Sequence, residues 1–321
     1  MTSELDRRPD TATEQSAGQP GVATGEAARL MRLATTASVA VAMTLIAVKV
    51  VTWLMTDSIS VLSSLVDSVM DAMASLVNLV AVRHALQPAD REHRFGHGKA
   101  EPLAALGQAA FIAGSAAFLG IEAMGRLFSP RPVENIGVGI AVMVFAIVVT
   151  VALVAFQRYV VRKTGSTAVG ADALHYESDV LVNGSVIVSL ALTSWFGWNA
   201  VDPLFGFAIA LYLVRGAWKI SRRSLDLLMD REFADEERTN IHGLVLAHPR
   251  VKGMHDLRTR RAGIQPFIQL HLELDGEMTL LEAHEISDEV EARIKEAYPN
   301  AEVIIHEDPE GIEEERATFP G

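Results

Sequence analysis

The sequence contains no cysteine. Disulfides and thiolate metal sites are therefore excluded, and any bound metal must be held by His, Asp and Glu side chains. Basic residues are also few: 28 Lys and Arg stand against 40 Asp and Glu, a formal net charge of −12. This balance argues against a nucleic-acid partner, whose usual footprint is a basic surface, and suits the attraction of cations. The chain has no phosphate-binding loop and no G-x-S-x-G motif, which argues against nucleotide-driven transport and a serine hydrolase.

Apolar residues are concentrated between about residues 30 and 225, whereas the last hundred residues have the composition of a soluble domain. Six apolar runs reach the roughly 20 residues that span a bilayer core of about 30 Å. The predicted spans are 33–55, 59–83, 103–127, 136–159, 169–196 and 203–220. Residues 1–28 are rich in Thr, Ala, Gly, Glu and Pro, lack aromatics and lack a signal-peptide pattern, so we predict a disordered tail before a retained first helix.

The distribution of Lys and Arg predicts how the spans are oriented. The connections between spans two and three and between spans four and five are basic, whereas those after spans one and five carry no basic residue. Because Lys and Arg favour the cytoplasmic side, both termini are predicted to be cytoplasmic. The predicted division is a tail at 1–28, a six-helix transmembrane domain at 29–228, a cytoplasmic domain at 229–309 and a tail at 310–321.

The last hundred residues predict an α-β-β-α-β order. A helix at 235–247, with Asp235 as its N-cap, is followed by alternating strands at 253–261 and 266–274. A helix at 281–297 and a strand at 301–306 complete the pattern. The predicted fold class is therefore an all-α membrane domain joined to a small α+β domain.

Two pairs of ionisable residues at helical spacing lie within the second and fifth spans. Asp67 and Asp71 are four residues apart, as are His175 and Asp179, so each pair shares one helix face. At about 1.5 Å per residue, Asp71 and His175 fall near one depth, and Asp67 and Asp179 near another. Three oxygens and one nitrogen make a tetrahedral set suited to Zn²⁺, and Cd²⁺, Fe²⁺, Co²⁺ and Mn²⁺ stay open. The alternatives are a proton path or pairing with buried bases, and neither span has a nearby Lys or Arg.

Two further histidine clusters lie outside the spans. The basic loop after span two carries Asp90, His93 and His97 at a spacing that allows a turn-based metal site. The C-terminal domain carries His255, His271, His284, His306 and Asp308, which could share two ions. Spacing alone leaves both sets open, because loop and surface histidines are often merely solvated. By the same reasoning His84, His242 and His248 have no partner and are predicted to be structural or solvated.

Five sequence blocks, in this order, resemble the cation diffusion facilitator family, most closely its bacterial FieF/YiiP branch of zinc and iron exporters. They are LVDSVMD at 65–71, LQPAD at 86–90, FGHGKAE at 95–101, ADALHYESD at 171–179 and HDLRTR at 255–260. The resemblance covers about residues 29–309. It implies a V- or Y-shaped homodimer of six-helix domains with a ferredoxin-like, metallochaperone-like cytoplasmic domain.

The resemblance also implies roles for particular residues. Asp67, Asp71, His175 and Asp179 match the transport site; Asp90, His93 and His97 match the loop site; His255, His271, His284, His306 and Asp308 match a binuclear site at the cytoplasmic dimer interface. Lys99 and Asp230 match an intersubunit charge pair, and Leu174 matches an apolar gate. The chain departs from its close relatives at Glu307, where they tend to carry Gln.

The function implied is proton-coupled export of a divalent transition metal, zinc first, across a bacterial inner membrane by alternating access. Ligands must lose protons to bind metal, and His175 is the natural switch. Two alternatives remain. A metal sensor without transport would need an output domain, and a membrane metalloenzyme would need more than the His284–Asp288 segment, which begins like H-E-x-x-H but ends in Asp.

Overall fold

Six long helices form the first part of the molecule. The computed structural model describes residues 22–57, 59–128, 137–196, 198 and 200–311. The helices are α1 (Val22–Thr56), α2 (Ile59–Ala85), α3 (Ala100–Phe128), α4 (Gly137–Thr164), α5 (Thr167–Phe196) and α6 (Val201–Leu228). All six are long and apolar enough to cross a membrane, which confirms the predicted six-helix domain.

The helices extend beyond the predicted spans. The length of an apolar run reflects the thickness of the bilayer core, and a helix can continue outside that core. Helix α1 begins at Val22, so the prediction of a disordered tail is wrong for residues 22–28. That segment contains good helix formers, Ala and Glu, which allow the helix to continue past the predicted span. The rest of the predicted tail, 1–21, lies outside the described residues, as do 312–321 of the predicted C-terminal tail.

Small residues let the helices of the bundle approach closely. Helix α3 packs most extensively against α6, where a Cβ added at Gly206 would lie only 3.1 Å from Ala123. Close approach at small residues is the usual means by which membrane helices associate. The buried cluster that joins α3, α5 and α6 consists of Ala109, Ile112, Ala116, Leu174, Ile209, Leu213 and Ala217.

The C-terminal domain has the predicted α-β-β-α-β order. Its elements are α7 (Asp235–Leu246), β1 (Gly253–Ala262), β2 (Gln265–Leu274), α8 (Leu280–Ala297) and β3 (Glu302–Pro309). The sheet order is β1-β2-β3, with β1 and β2 antiparallel and β2 and β3 parallel, so α8 is the crossover helix between the parallel strands. Ala234, not Asp235, is the N-cap of α7, because Ala234 has the extended backbone and Asp235 is already helical.

The turn between β1 and β2 packs against the helix bundle. Ile264 contacts a buried cluster at one end of the bundle that includes Met31, Val82 and Val169. Gly263, with φ of 61°, lies so close to Gly98 that an added Cβ would be 2.9 Å from the Gly98 carbonyl oxygen. We call residues 262–265 the hairpin tip. The tip therefore touches both the bundle and the loop between α2 and α3.

Replacing Gly98 with alanine tests this docking. Gly98 has no positive φ, so alanine fits the backbone, but its Cβ would overlap the Ala262 carbonyl. Overpacking of this kind costs about 1–3 kcal/mol, so we expect amides of the hairpin tip to exchange hydrogen at least about fivefold faster. Hydrogen-exchange mass spectrometry measures the change. Gly107→Ala is the control, because nothing lies within 4 Å of its added Cβ, and equal exchange in both variants would contradict the docking.

Candidate metal centres

Helices α2 and α5 bring three of the four predicted transport ligands together. His175 Nε2 lies 3.1 Å from Asp71 Oδ1, and Asp71, His175 and Asp179 each offer one ligand atom within 4.8 Å of the others. His175 is buried, with 5% of its surface exposed. One imidazole and two carboxylates at this separation can hold a divalent ion inside the bundle. We call these three residues the intramembrane cluster.

Asp67 does not join the intramembrane cluster. Its side chain is exposed, and it lies one helical turn from Asp71 on α2, a rise of about 6 Å along the axis. Three of the four predicted ligands thus lie together, and Asp67 lies one helical turn away from Asp71 along α2. Asp67 remains a predicted ligand, and its carboxylate is near enough to act electrostatically on Asp179.

A lysine that sequence reasoning missed faces the cluster from α1. Lys49 Nζ donates hydrogen bonds to the Ser64 carbonyl oxygen at 3.0 Å and to Ser68 Oγ at 2.6 Å, both on α2. The carboxylates of the intramembrane cluster and of Asp67 attract its charge. Lys49 lies in the first span, whereas the bases considered as partners from the sequence were Lys and Arg of the second and fifth spans. The available signal was a single Lys in the first apolar run, because charges inside a membrane usually have a function.

A second missed residue, Asp172, joins four helices one turn before His175. It is 1% exposed, and its carboxylate accepts hydrogen bonds from Ser38 at 2.5 Å, Gln157 at 2.7 Å and Gln108 at 3.1 Å. These donors belong to α1, α4 and α3, so the network ties α5 to three neighbours. Three donors satisfy a buried carboxylate that would otherwise be costly. The orientation of α5, and with it the position of His175, depends on this network.

Leu174, the predicted gate, lies beside the intramembrane cluster. It is 5% exposed and belongs to the apolar cluster shared by α3, α5 and α6. A Cβ added at Gly216 of α6 would lie 2.6 Å from Leu174 Cδ2, so the glycine makes room for the leucine. The gating role itself stays a prediction.

The loop between α2 and α3 brings Asp90, His93 and His97 together. Their ligand atoms lie within 4.8 Å of one another, with His97 Nε2 3.3 Å from Asp90 Oδ2 and His93 Nδ1 3.4 Å from Asp90 Oδ1. The backbone N–H of His93, and then that of Glu92, donates to Asp90 Oδ1. These hydrogen bonds lower the pKa of Asp90, chiefly through the His93 N–H, and keep the carboxylate ionised for a cation.

Sheet register places three of the predicted C-terminal ligands side by side. His255 of β1 pairs with His271 of β2, and His271 pairs with His306 of β3. Their neighbouring ring centroids are 5.0 and 4.7 Å apart. Asp308 reaches all three, with oxygens 3.4 Å from His255 Nε2, 2.8 Å from His271 Nδ1 and 3.1 Å from His306 Nε2. The three rings and this carboxylate form one row across the sheet.

A break in the β1–β2 register adds a residue that the sequence did not indicate. The pairing shifts between His255 and Arg258, and Asp256 there has φ of 47°. Such bulges re-aim side chains. Asp256 consequently offers an oxygen within 4.8 Å of ligand atoms of His255 and His271.

His284 and Glu307 stand apart from the row. His284 of α8 has an exposed side chain whose nearest acidic partner is Asp288, 3.7 Å away, so the chain by itself does not bring it to the other ligands. Glu307 accepts a hydrogen bond from Ser287 of α8 at 2.7 Å, because alternation along β3 directs it away from His306 and Asp308. The Glu307 carboxylate, which departs from the family pattern, is therefore engaged in a hydrogen bond with α8.

The predicted charge pair is formed within the chain. Lys99 Nζ lies 2.9 Å from Asp230 Oδ2 and also donates to the Leu228 carbonyl oxygen at 3.3 Å. The pair thus connects the start of α3 with the end of α6. The intersubunit arrangement stays a prediction.

Buried imidazole nitrogens without a hydrogen-bond partner occur in all three candidate centres. Among the residues that the structure describes, they are His97 Nδ1, His175 Nε2 and both ring nitrogens of His255. The nitrogens of His175 and His255 lie near carboxylates without the alignment of a hydrogen bond. His248, also buried, has both nitrogens engaged, by Glu289 and the Arg250 N–H. Each of these three imidazoles thus combines a buried, unpartnered nitrogen with a carboxylate close to its ring, an arrangement that suits a metal ion.

Comparison with known proteins places both parts of the chain in one family. A family profile described as "Cation efflux transmembrane domain" matches residues 35–229, and one described as "Cation efflux protein, cytoplasmic domain" matches residues 233–310. The Cation-efflux pump FieF of Klebsiella pneumoniae is 49% identical over 284 residues, covering 88% of this chain and 94% of the relative. The pump of the same name from Salmonella choleraesuis is 48% identical over 281 residues, covering 88% and 93%.

Replacing Lys49 with methionine removes the positive charge that faces the intramembrane cluster. Because a resident cation opposes a second cation held by the same carboxylates, we expect Zn²⁺ to bind there about tenfold more tightly. Calorimetric titration of the full chain measures this, in a background of His97→Asn and His271→Asn that weakens the other two centres. Lys49→Arg keeps the charge and should bind as the parent does. Unchanged or weaker binding in Lys49→Met would refute the electrostatic role.

Proposed function

The chain belongs to the cation efflux family, whose members are also called cation diffusion facilitators, and we propose that it exports Zn²⁺ from the cytoplasm in exchange for protons. Membership makes it a transporter of metal cations with a dimerisation domain. The observation that carries the finer proposal is the intramembrane cluster. An unpartnered imidazole nitrogen and two carboxylates inside an apolar bundle form a site that favours a dication over an empty state.

The ligand chemistry supports zinc as the first candidate. His175 supplies nitrogen and Asp71 and Asp179 supply oxygen, and the Asp67 side chain, on the same face of α2 as Asp71, has to turn towards them to complete a tetrahedral set. Cd²⁺ suits the same set. Fe²⁺, Co²⁺ and Mn²⁺ are further substrates to test, because affinity order alone does not determine which metal a protein carries in the cell.

Competition between protons and metal for the same ligands supports the exchange. Carboxylates held inside the bundle are costly as unpaired anions, so protons neutralise them when the metal leaves. In the proposed cycle, a cytoplasmic ion displaces protons from the intramembrane cluster, the bundle changes its opening, and periplasmic protons displace the ion. Leu174, packed against Gly216, closes the apolar side of the cluster in this scheme.

The proposed setting is a homodimer in a bacterial inner membrane with both termini cytoplasmic. The basic connections after α2 and α4 support this orientation through the bias of Lys and Arg towards the cytoplasm. The loop site and the C-terminal row then face the compartment from which metal is exported. Ions at these centres regulate transport only if they bind one conformation of the dimer better than another. His284, exposed in the single chain, is the ligand that dimer formation would need to bring to the row.

Zinc flux into proteoliposomes with an acidic lumen tests the transport site. We expect His175→Ala to reduce the flux to the level of protein-free vesicles, because the cluster loses its only nitrogen ligand. Asp67→Ala should do the same if Asp67 completes the set. His242→Ala, which changes an exposed histidine outside the three centres, should transport normally. Near-normal flux in His175→Ala would exclude this site, and zinc binding without any flux in the parent would favour a sensor.

Metal-dependent contact between cytoplasmic domains tests the C-terminal row. His271 is the middle ring of the row and contacts both neighbouring rings and Asp308. We therefore expect His271→Ala to abolish the zinc-induced approach of the two domains, measured by double electron–electron resonance between spin labels on α7. His248→Ala serves as the control for loss of a buried imidazole outside the row. An unchanged zinc response in His271→Ala would exclude a regulatory role for the row.

A further inference from the structure

A fourth histidine lies beside the loop site. His84 occupies the last turn of α2, and its ring centroid is 4.5 Å from that of His97, with an interplanar angle of 61°. On its other side, His97 contacts the ring of His93 at 4.6 Å. His84 has no partner by sequence spacing, and the contact arises because the fold returns the loop between α2 and α3 to the end of α2.

The ring separations match those of imidazoles that share one metal ion. A Zn–N bond of about 2.0–2.1 Å and tetrahedral angles hold two ring centroids roughly 5 Å apart. The separations of His97 from His84 and from His93 are close to this value. Asp90, His93 and His97 already have ligand atoms within 4.8 Å of one another, and the exposed His84 side chain has to turn a ring nitrogen towards them for the three rings to surround one ion.

The central ring has a nitrogen free for such an ion. The His97 side chain is 5% exposed, and its Nδ1 is buried without a hydrogen-bond partner among the described residues. Its Nε2 lies 3.3 Å from Asp90 Oδ2. A buried donor or acceptor left unpaired costs free energy unless a ligand compensates for it. The surrounding groups that can supply that compensation through an ion are Asp90, His93 and His84.

We propose that His84 is the fourth protein ligand of the loop site, which then holds its ion by three imidazoles and the Asp90 carboxylate. The inference rests on the loop site of the proposed function and extends it. Four protein ligands are typical of a closed zinc site, which retains its ion, whereas three leave a position open to water or to a receiving ligand. The closed site also ties the end of α2, the helix that carries Asp71, to the loop before α3.

The competing explanation needs no metal. A basic side chain in the last turn of a helix interacts favourably with the partial negative charge of the exposed carbonyl groups. His84 would then stabilise α2 through charge alone. A lysine at position 84 keeps the charge and removes the ligand nitrogen, so it separates the two explanations.

The test uses the full chain with its other centres weakened by Asp71→Asn, Asp179→Asn, His255→Asn and His271→Asn. With one equivalent of Zn²⁺, X-ray absorption at the zinc edge counts the bound imidazoles, and competition with a chelator measures affinity. We expect three imidazoles in this background and two after adding His84→Asn, with affinity at least about tenfold lower. His84→Lys should lose the same imidazole and affinity.

The controls separate failure of this inference from failure of the proposed loop site. His242→Asn, at an exposed histidine of α7, should leave the imidazole count and the affinity unchanged. His93→Asn should lower both. If His93→Asn lowers both and His84→Asn lowers neither, or if His84→Lys retains native affinity, His84 is not a ligand. If neither His93→Asn nor His97→Asn has an effect, the loop site itself is absent and the inference falls with it, whatever the zinc flux of the parent.

Discussion

An ionisable group inside an apolar helix bundle needs hydrogen-bond or charged partners, and this constraint organises the membrane domain. Helix α5 meets it in two ways within one turn. Asp172 is satisfied by three hydrogen-bond donors from three helices, whereas His175 keeps a nitrogen without a partner next to Asp71. In the first arrangement the protein itself supplies the partners of the carboxylate. The second leaves a ring nitrogen unpartnered beside a carboxylate, which is the arrangement that the proposed transport site requires.

Other side chains of α5 form hydrogen bonds with neighbouring helices. The Tyr176 hydroxyl donates its one proton to the Ser38 carbonyl oxygen of α1 and accepts a hydrogen bond from Ser75 of α2 at 2.8 Å, and the residue is 1% exposed. The N-terminal end of α5 is held by Glu101 of α3, whose carboxylate accepts from the Thr167 N–H at 2.7 Å. A displacement of α5 therefore has to move contacts with several helices at once. Packed elements with such shared contacts change between discrete arrangements more readily than they deform continuously.

The sequence predicts the helices and strands well, but it predicts only some of the contacts between them. Apolar runs and strand alternation are local signals, so the six helices and the α-β-β-α-β order followed from them. Counting rise per residue brought Asp71 and His175 to one depth, and they are in contact. Lys49 and His84 were missed because each reaches its neighbours from an element whose own pattern says nothing about that contact. Asp256 depends on a register shift, which no local pattern of residues reveals.

The hairpin tip has a consequence for the exchange of parts between homologous transporters. Ile264 packs against a buried cluster of residues from α1, α2, α4 and α5, and a methyl group added at Gly98 would overlap the Ala262 carbonyl. A chimaera joined at the end of α6 would combine this helix bundle with the β1–β2 turn of another protein. That turn would have to pack against a surface that fits Ile264. A chimaera that keeps this contact has to take the β1–β2 turn and the loop containing Gly98 from the same protein. The two short segments are therefore exchanged together, although they are far apart along the chain.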